Sequence, residues 1–527
     1  MFKARILAIA MATAFAGQSG IALAAGKTAD QQLKAQINAL QQQLDALKSS
    51  MGQVQSQQSS QQATISDQQA TIKKVTAEQA KQEESTALFS RKAGDKLIFQ
   101  IGKSEVQIYG HADLSADYVS NGLSGAVGAK GSNGWMGDIS SNLSYFGIRG
   151  NRPLTDDISG VFQFESEISY AATPGTSDRA PDTTAQKFGL GGRNSYIGLQ
   201  SKSMGAVKLG KTDTPYKIST MKYDPFASSV GDYNSIMGNT GGDSRTEFDA
   251  RMAHSIWYES PDLHGVKVSA LFSPGQNRSA DSDGSGYNYA NGEPDCTGGN
   301  SAPGGAAGAC NDGAWKNAYS LAANYTRGPL NAIAAYERHS SVDRHGDDLG
   351  GSSINGSVGI ADEYAYKLGV QYKFATKTDV SFIWESLNRK ALTPSQDERT
   401  RNGTWLAVTQ HVTDKDAVSF GWGHAGKTRG QPDGTPPTVG GVAAVPGPAD
   451  NAANLFDLGY KHWFDKQTTG YLVLSQLNNG TNAHYALGAG GHGVVTRNYD
   501  GGTGVGGYDT FTGYRMRAIS VGMTYDF

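Results

Sequence analysis

Two periodicities divide this chain. From Leu33, apolar residues fall at alternating steps of four and three through Ile37, Leu40, Leu44, Leu47, Met51 and Val54, which is the seam of a heptad helix. The count continues over Gln58, Gln61, Ile65, Gln68, Ile72, Val75, Gln79 and Gln82, so the register persists while glutamine enters the seam. Beyond Val106 the period is two. Val106, Ile108, Ala112, Leu114, Ala116 and Tyr118 alternate with Gln107, Tyr109, His111, Asp113, Ser115 and Asp117, giving one face suited to lipid and one to water. The chain closes the same way: Ile519, Val521, Met523, Tyr525 and Phe527 share one face, with Ser520, Gly522, Thr524 and Asp526 on the other.

Between these ends, short and long connections alternate. Tight turns are expected near 152–156, 202–204, 260–264, 326–329, 375–378, 412–415 and 464–467. Long polar, glycine-rich segments fall near 121–140, 171–192, 213–253, 274–315, 340–362, 391–401, 427–452 and 480–513. Seven turns and eight loops predict about 16 strands, an even count with both ends on the short-turn side. A soluble sandwich has no reason to segregate its long loops so consistently. The expected fold is therefore an all-β membrane protein, a 16-stranded antiparallel transmembrane β-barrel with an N-terminal α-helical coiled coil. Its lumen-facing positions include His111, Asp113, Asp117, Gln163 and Glu165.

Bulk properties fit this pattern. The 527 residues are only 38% hydrophobic with a net charge of −3, and after the first two dozen no run approaches the roughly 20 apolar residues that a membrane helix needs. A barrel needs only alternate residues to be apolar, because its lumen is hydrophilic. Glycine, at 68 residues, suits many glycine-rich loops. Lys3 and Arg5, the apolar stretch Ile6 to Phe15 and the small-residue site Ala22-Leu23-Ala24 read as a signal peptide over 1–24. A periplasmic coiled-coil segment is expected over 25–90 and the barrel over 91–527. Cys296 and Cys310, about 14 positions apart, are expected to form a disulfide that staples one loop, worth about 3 kcal/mol in an oxidising compartment. A metal pair is the competing reading, but no further cysteine or histidine flanks them, and no metal or cofactor is expected.

The coiled-coil core is expected at Leu33, Ile37, Leu40, Leu44, Leu47, Met51, Val54, Ile65, Ile72 and Val75. Isoleucine at Ile37, Ile65 and Ile72 leans away from two strands and toward three. A helix from Thr28 to Glu84 would extend about 85 Å. A Gln/Ser-rich tether is the alternative, because Gly52 and the run Gln55 to Gln62 weaken the middle.

Several stretches resemble the trimeric general porins of proteobacteria. Ser144-Tyr145-Phe146-Gly147-Ile148-Arg149-Gly150 resembles that family's second strand and Val161-Phe162-Gln163-Phe164-Glu165-Ser166 its third. Arg193 to Leu199 and Gly205 to Lys211 resemble the fourth and fifth, and Ile256 to Pro261 the sixth. The likeness is dense only up to about Phe272. The helical extension is similar to that of sucrose and dicarboxylate-type porins, which are also trimers. The resemblance implies a homotrimer and a third loop, 213–253, folded into the lumen. There Asp213, Asp224, Asp232, Asp243, Glu247 and Asp249 would face a basic wall of Arg149, Arg193, Lys211 and Arg251. Tyr145 stands where the family often has arginine, which thins the basic ladder.

The implied function is an outer-membrane porin forming a water-filled channel for passive diffusion of small hydrophilic solutes. The alternatives are a porin selective for sugars or organic acids, or an envelope tether in which the rod is the functional part. Partners would be outer-membrane lipid, lipopolysaccharide and, through the rod, peptidoglycan, with no nucleic acid. No histidine shows zinc spacing, and no Ser–His or carboxylate constellation points to an enzyme. Asp281-Ser282-Asp283-Gly284 has calcium-loop carboxylate spacing but lacks the later glutamate.

Overall fold

In a computed structural model, the described residues are 29–86, 90–91, 96–120, 135–171, 192–238, 248–249, 251–274, 315–343, 360–390, 400–427, 438–439, 442–443, 452–480, 483, 485–487 and 513–527. The chain divides into two units, Met1–Leu88 and Phe89–Phe527. The first contains α1, Ala29–Thr86, one uninterrupted helix. Every predicted core position lies on it with its side chain bare in a single chain, from 48% exposed at Ile37 to 65% at Leu40. Such an apolar stripe on a polar helix is a surface in want of a partner. No helix among the described residues is long and apolar enough to cross a membrane.

The second unit is a closed antiparallel barrel. Its strands are β1 (Ser104–Ser120), β2 (Trp135–Ser141 and Tyr145–Pro153), β3 (Ile158–Glu167), β4 (Ser195–Ser201), β5 (Gly205–Asp213), β6 (Arg251–Glu259), β7 (Val266–Pro274) and β8 (Asn317–Arg327). They continue with β9 (Leu330–Asp343), β10 (Ile360–Lys373), β11 (Thr378–Lys390), β12 (Arg401–His411), β13 (Asp416–Ala425), β14 (Ala453–Trp463), β15 (Thr468–Asn479) and β16 (Arg515–Asp526). Each pairs with its neighbour, and β16 returns to β1 over Arg517↔Ser120 to Asp526↔His111. Among the described residues this makes sixteen staves with no free edge, the condition for crossing hydrocarbon. All seven expected turns fall between strands.

Side-chain alternation is as expected. On β1, Asp113, Ser115 and Asp117 are buried inward while Tyr118 points out, and on β16 Ile519, Val521, Met523 and Tyr525 face outward over a buried Ser520. Two details depart from expectation. β1 begins at Ser104 and is preceded by a strand, Leu97–Ile101, that pairs with it through a turn at Gly102. Residues 135–140, expected to be loop, belong to β2, which is broken at 142–144 by one extra residue relative to β1 and by Leu143 at φ 53°. The bulge switches which parity faces out. It is held by the buried Asn142 amide, which donates to Ser115 Oγ (2.9 Å), the Tyr471 hydroxyl (3.0 Å) and Asp113 Oδ1 (3.2 Å).

The last residue completes the seam. Gly110 and Phe527 exchange backbone hydrogen bonds of 3.1 Å, and the Phe527 ring lies where a side chain on Gly110 would be, 2.3 Å from an added Cβ. Gly110→Val is therefore expected to displace the terminal ring and cost about 1–3 kcal/mol. Gly137→Ala, whose Cβ would meet nothing nearer than 3.9 Å, is expected to be close to neutral. Urea midpoints of the folded, heat-modifiable species check this, and equal midpoints for the two variants would contradict it.

Candidate functional site

The described part of loop 3, 214–238 with 248–249, lies inside the barrel against the wall of β8–β15. Its entry is fixed by Thr214, whose hydroxyl accepts from Lys217 N (3.2 Å), and by Pro215 at the start of α2, Pro215–Thr220. Tyr216 then packs with Phe248, Ala322, Ala335, Ala365 and Leu387. Further along, Phe226 and Tyr233 meet Trp405 at ring distances of 6.2 and 5.8 Å, and the Tyr223 hydroxyl donates to Asn331 Oδ1 (2.6 Å). The wall makes room for these side chains with glycine. A Cβ on Gly369 would lie 2.7 Å from Tyr223, on Gly421 2.7 Å from Phe226, on Gly423 2.6 Å from Ile236, and on Gly459 2.8 Å from Phe226. The loop thus sits in a bed flat enough for aromatic rings to reach the backbone.

The acidic residues of the loop secure it. Asp213 pairs with Lys217 (2.9 Å) and Arg251 (3.2 Å) and accepts from Asn194 (2.9 Å). Asp224 accepts from the backbone N–H of Phe226 (2.8 Å) and Tyr233 (3.0 Å), and Asp232 from those of Ser228 and Asn234 (both 2.9 Å). Burial raises the Asp224 carboxyl well above its ordinary range, reinforced by neighbouring Asp232. Asp249 meets Lys367 of β10 at 2.5 Å with both side chains fully buried, and the ammonium lies 3.9 Å from the centre of the Tyr216 ring. Burial pushes the Asp249 carboxyl up to about 6 although Lys367 pulls it down. Asp243 and Glu247 lie outside the described residues, as do Cys296 and Cys310. The loop's wet side carries Ile218 and Met221, both half exposed, and an exposed Lys222.

The wall of β1–β5 carries two of the expected basic residues, Arg149 and Arg193, each over an aromatic ring. Arg149 stands 4.6 Å over Tyr109, with its Nε donating to Gln107 (3.0 Å). Arg193 stands 4.8 Å over Tyr145, with its Nε 2.6 Å from Glu165. Lys208, which the sequence reading did not single out, lies 4.8 Å over Tyr196 and 2.8 Å from Glu259. The cation–π arrangement holds each positive group against the wall at a fixed height. Tyr145, standing where an arginine would thicken the ladder, carries Arg193 on one side and stacks with His111 at 5.6 Å on another. Arg251 sits at the loop root with Asp213 and Asn194. Lys211 lies where the β5–β6 register shifts, on the parity of the outward Val207 and Leu209.

The expected lumen positions all occupy inward parity. His111 is 2.7 Å from Asp526, Asp113 accepts from Tyr471 (2.7 Å), and Asp117 from Ser140 (2.7 Å). Gln163 donates to the Asn194 carbonyl (3.2 Å), and Glu165 joins Tyr109 (3.0 Å) to Arg193. A second set of inward charges was missed: Arg389–Glu363 (2.6 Å), Arg401–Glu385 (3.2 Å), His339–Glu337 (3.1 Å) and Lys367. Glu385 accepts from Gly238 N (2.9 Å), and Arg401 donates to the Ile236 carbonyl. These groups clamp the loop's backbone. Their signal was available, since Glu337 and His339, Glu363 and Lys367, and Glu385 and Arg389 share the inward parity of their strands.

The comparisons agree with this geometry. A family model described as Gram-negative porin matches residues 98–482. An outer membrane porin protein of Bordetella pertussis is 25% identical over 343 residues, which is 64% of this chain and 77% of that relative. Major outer membrane protein P.IA of Neisseria meningitidis is 27% identical over 139 residues, 26% of this chain and 30% of that one. Among solved structures, an anion-selective porin from Comamonas acidovorans superposes with a TM-score of 0.53 at 17% identity, covering 80% of this chain and 100% of its own.

Lys367 tests the clamp. Removing one partner of a buried pair typically costs about 3–5 kcal/mol, and proton uptake by Asp249 would offset part of it. Lys367→Met is expected to speed amide exchange across 216–237 and to add noise to single-channel current. The Asp249→Asn/Lys367→Met double variant is expected to recover much of the protection. Unchanged exchange in the single variant would contradict the clamp.

Proposed function

The chain belongs to the Gram-negative porin family, and from that premise we propose that three copies assemble into a channel whose throat favours small anionic solutes. The coarser function follows from family and fold: the protein forms an outer-membrane channel for passive diffusion. One observation carries the finer reading. Loop 3 turns its described carboxylates into the wall and its own backbone, so the charges left beside the aqueous gap include Arg149 and Lys222, neither with a carboxylate partner among the described residues. Two further basic groups of that wall, Arg193 and Lys208, are paired with Glu165 and Glu259.

A unit charge at 4 Å is worth about 1 kcal/mol even in water, roughly a fivefold change in local ion population. Narrowing by the loop raises that figure by excluding solvent. Solutes move down their own gradients and no covalent step is required of the protein.

Two surfaces support the trimer. The seam of α1 is bare in one chain, and its isoleucines favour a three-stranded coiled coil, which would occupy the periplasmic side. On the barrel, the outward faces of three successive strands, β3–β5, carry Phe162, Phe164, Ile197, Leu199, Val207 and Leu209 with no outward tyrosine or tryptophan. Outward aromatics that mark a lipid–water interface stand on other strands, among them Tyr118, Tyr319, Tyr366, Tyr460 and Tyr525. A run of bare apolar strands without interfacial anchors suits contact with another barrel.

Reversal potentials in planar bilayers under a salt gradient test the throat. The wild type is expected to prefer anions, and Arg149→Glu or Lys222→Glu to lower the anion:cation ratio by roughly fivefold or more each. Cation preference in the wild type, or indifference to both substitutions, would overturn the reading. Leu40→Asp with Leu44→Asp is expected to lower the temperature at which the oligomer dissociates on gels while leaving unit conductance unchanged.

A further inference from the structure

The outward face of β13–β16 carries a polar row at the long-loop end with two arginines in it. Arg515 and Arg517 lie on β16 with the exposed parity of Ile519, Val521 and Met523, so they point away from the lumen. Neither has a carboxylate partner among the described residues. Arg517 Nε donates to Gln476 Oε1 (3.0 Å), and Arg515 pairs in register with Asn478. The polar row continues to Asn454 on β14 and His424 on β13, whose Nδ1 is 2.9 Å from Asn454 Oδ1. On the other side Arg517 is in register with Ser120 and, through it, with Trp135, which stacks on Tyr118 at 5.1 Å.

The protein supplies its own contrast. Arg338 on β9 is also outward and near the long-loop end, but it carries its carboxylate with it, 2.7 Å from Asp362. An arginine facing lipid is tolerated near an interface and costly deeper down, and a guanidinium without an acid seeks a planar or tetrahedral oxyanion. Outward of these strands the one abundant source of such groups is the headgroup layer. Interfacial rings beside the two arginines put them at that layer, and residues two apart on a strand stand about 7 Å from each other on one face.

The geometry points to a binding site for a phosphate-bearing lipid headgroup of the outer leaflet, held by Arg515 and Arg517. Gln476, Asn478 and Asn454 supply neutral hydrogen bonds to the headgroup, and the Tyr118–Trp135 pair flanks it. The assignment rests on the barrel lying in an outer membrane, so lipid retention and channel activity are read separately.

The test is native mass spectrometry of the full-length protein in detergent, titrated with lipid A carrying both phosphates or none. Wild type and Arg338→Gln are expected to hold the phosphorylated form at least tenfold more tightly than the stripped form. Arg515→Gln/Arg517→Gln is expected to lose that preference while keeping wild-type heat modifiability and unit conductance. Equal retention by the double variant, or no discrimination by phosphate in the wild type, overturns the site. Displacement of the lipid by millimolar inorganic phosphate overturns the lipid as occupant. A failure of conductance in all three proteins would count against the channel and leave the lipid result standing on its own.

Discussion

A backbone that crosses hydrocarbon must satisfy its hydrogen bonds within the protein, and a sheet does so only by meeting itself. Everything else in this molecule depends on the pairing of β16 with β1. It fixes the even strand number, places both ends of the sheet on the short-turn side, and sends long loops to the other. The seam is finished in detail. β1 holds β16 along its upper part and the strand Leu97–Ile101 along its lower part, and Phe527 meets Gly110 between them. A terminal aromatic residue is here a packing element of the closure itself.

Closure creates an inside, and the inside is divided by loop 3. One half of the wall is dry, lined with glycine opposite aromatic rings and with charges in pairs. The other stays wet and carries aromatic-backed basic groups. The buried pairs are weak contributors to net stability, because desolvation offsets most of their attraction. Their effect is positional: Lys367, Glu385 and Arg401 each meet particular atoms of the loop, so a displaced loop would leave several buried charges unmet. A field across the throat then comes from what the docked loop fails to neutralise.

Strand positions, turns and the identity of loop 3 were legible because they follow from period and spacing, which a single sequence displays. The break in β2 was not, since Asn142-Leu143-Ser144 looks like any polar turn until Asp113, Ser115 and Tyr471 converge on the Asn142 amide from strands far away in sequence. The roles of the loop's acids were hidden for a similar reason. Asp224 and Asp232 bond to backbone N–H groups within ten residues, yet a carboxylate on a loop reads the same whether it organises its own turn or faces water. Arg149 and Arg193 were found because they lie in strand motifs. Lys367 and Arg401 lie beyond those motifs, where strand parity alone marked them.

The claim on which all this stands is that neighbouring residues of one strand face two different media. Single cysteines at Lys267 and Val268 of β7, and at Thr524 and Met523 of β16, in a protein otherwise free of cysteine and reconstituted into liposomes, test it directly. The positions at Lys267 and Thr524 should react with a water-soluble maleimide, and those at Val268 and Met523 only with a lipid-soluble one. Equal reaction of all four with the water-soluble reagent would mean that no hydrocarbon face exists, and the barrel would have to be abandoned.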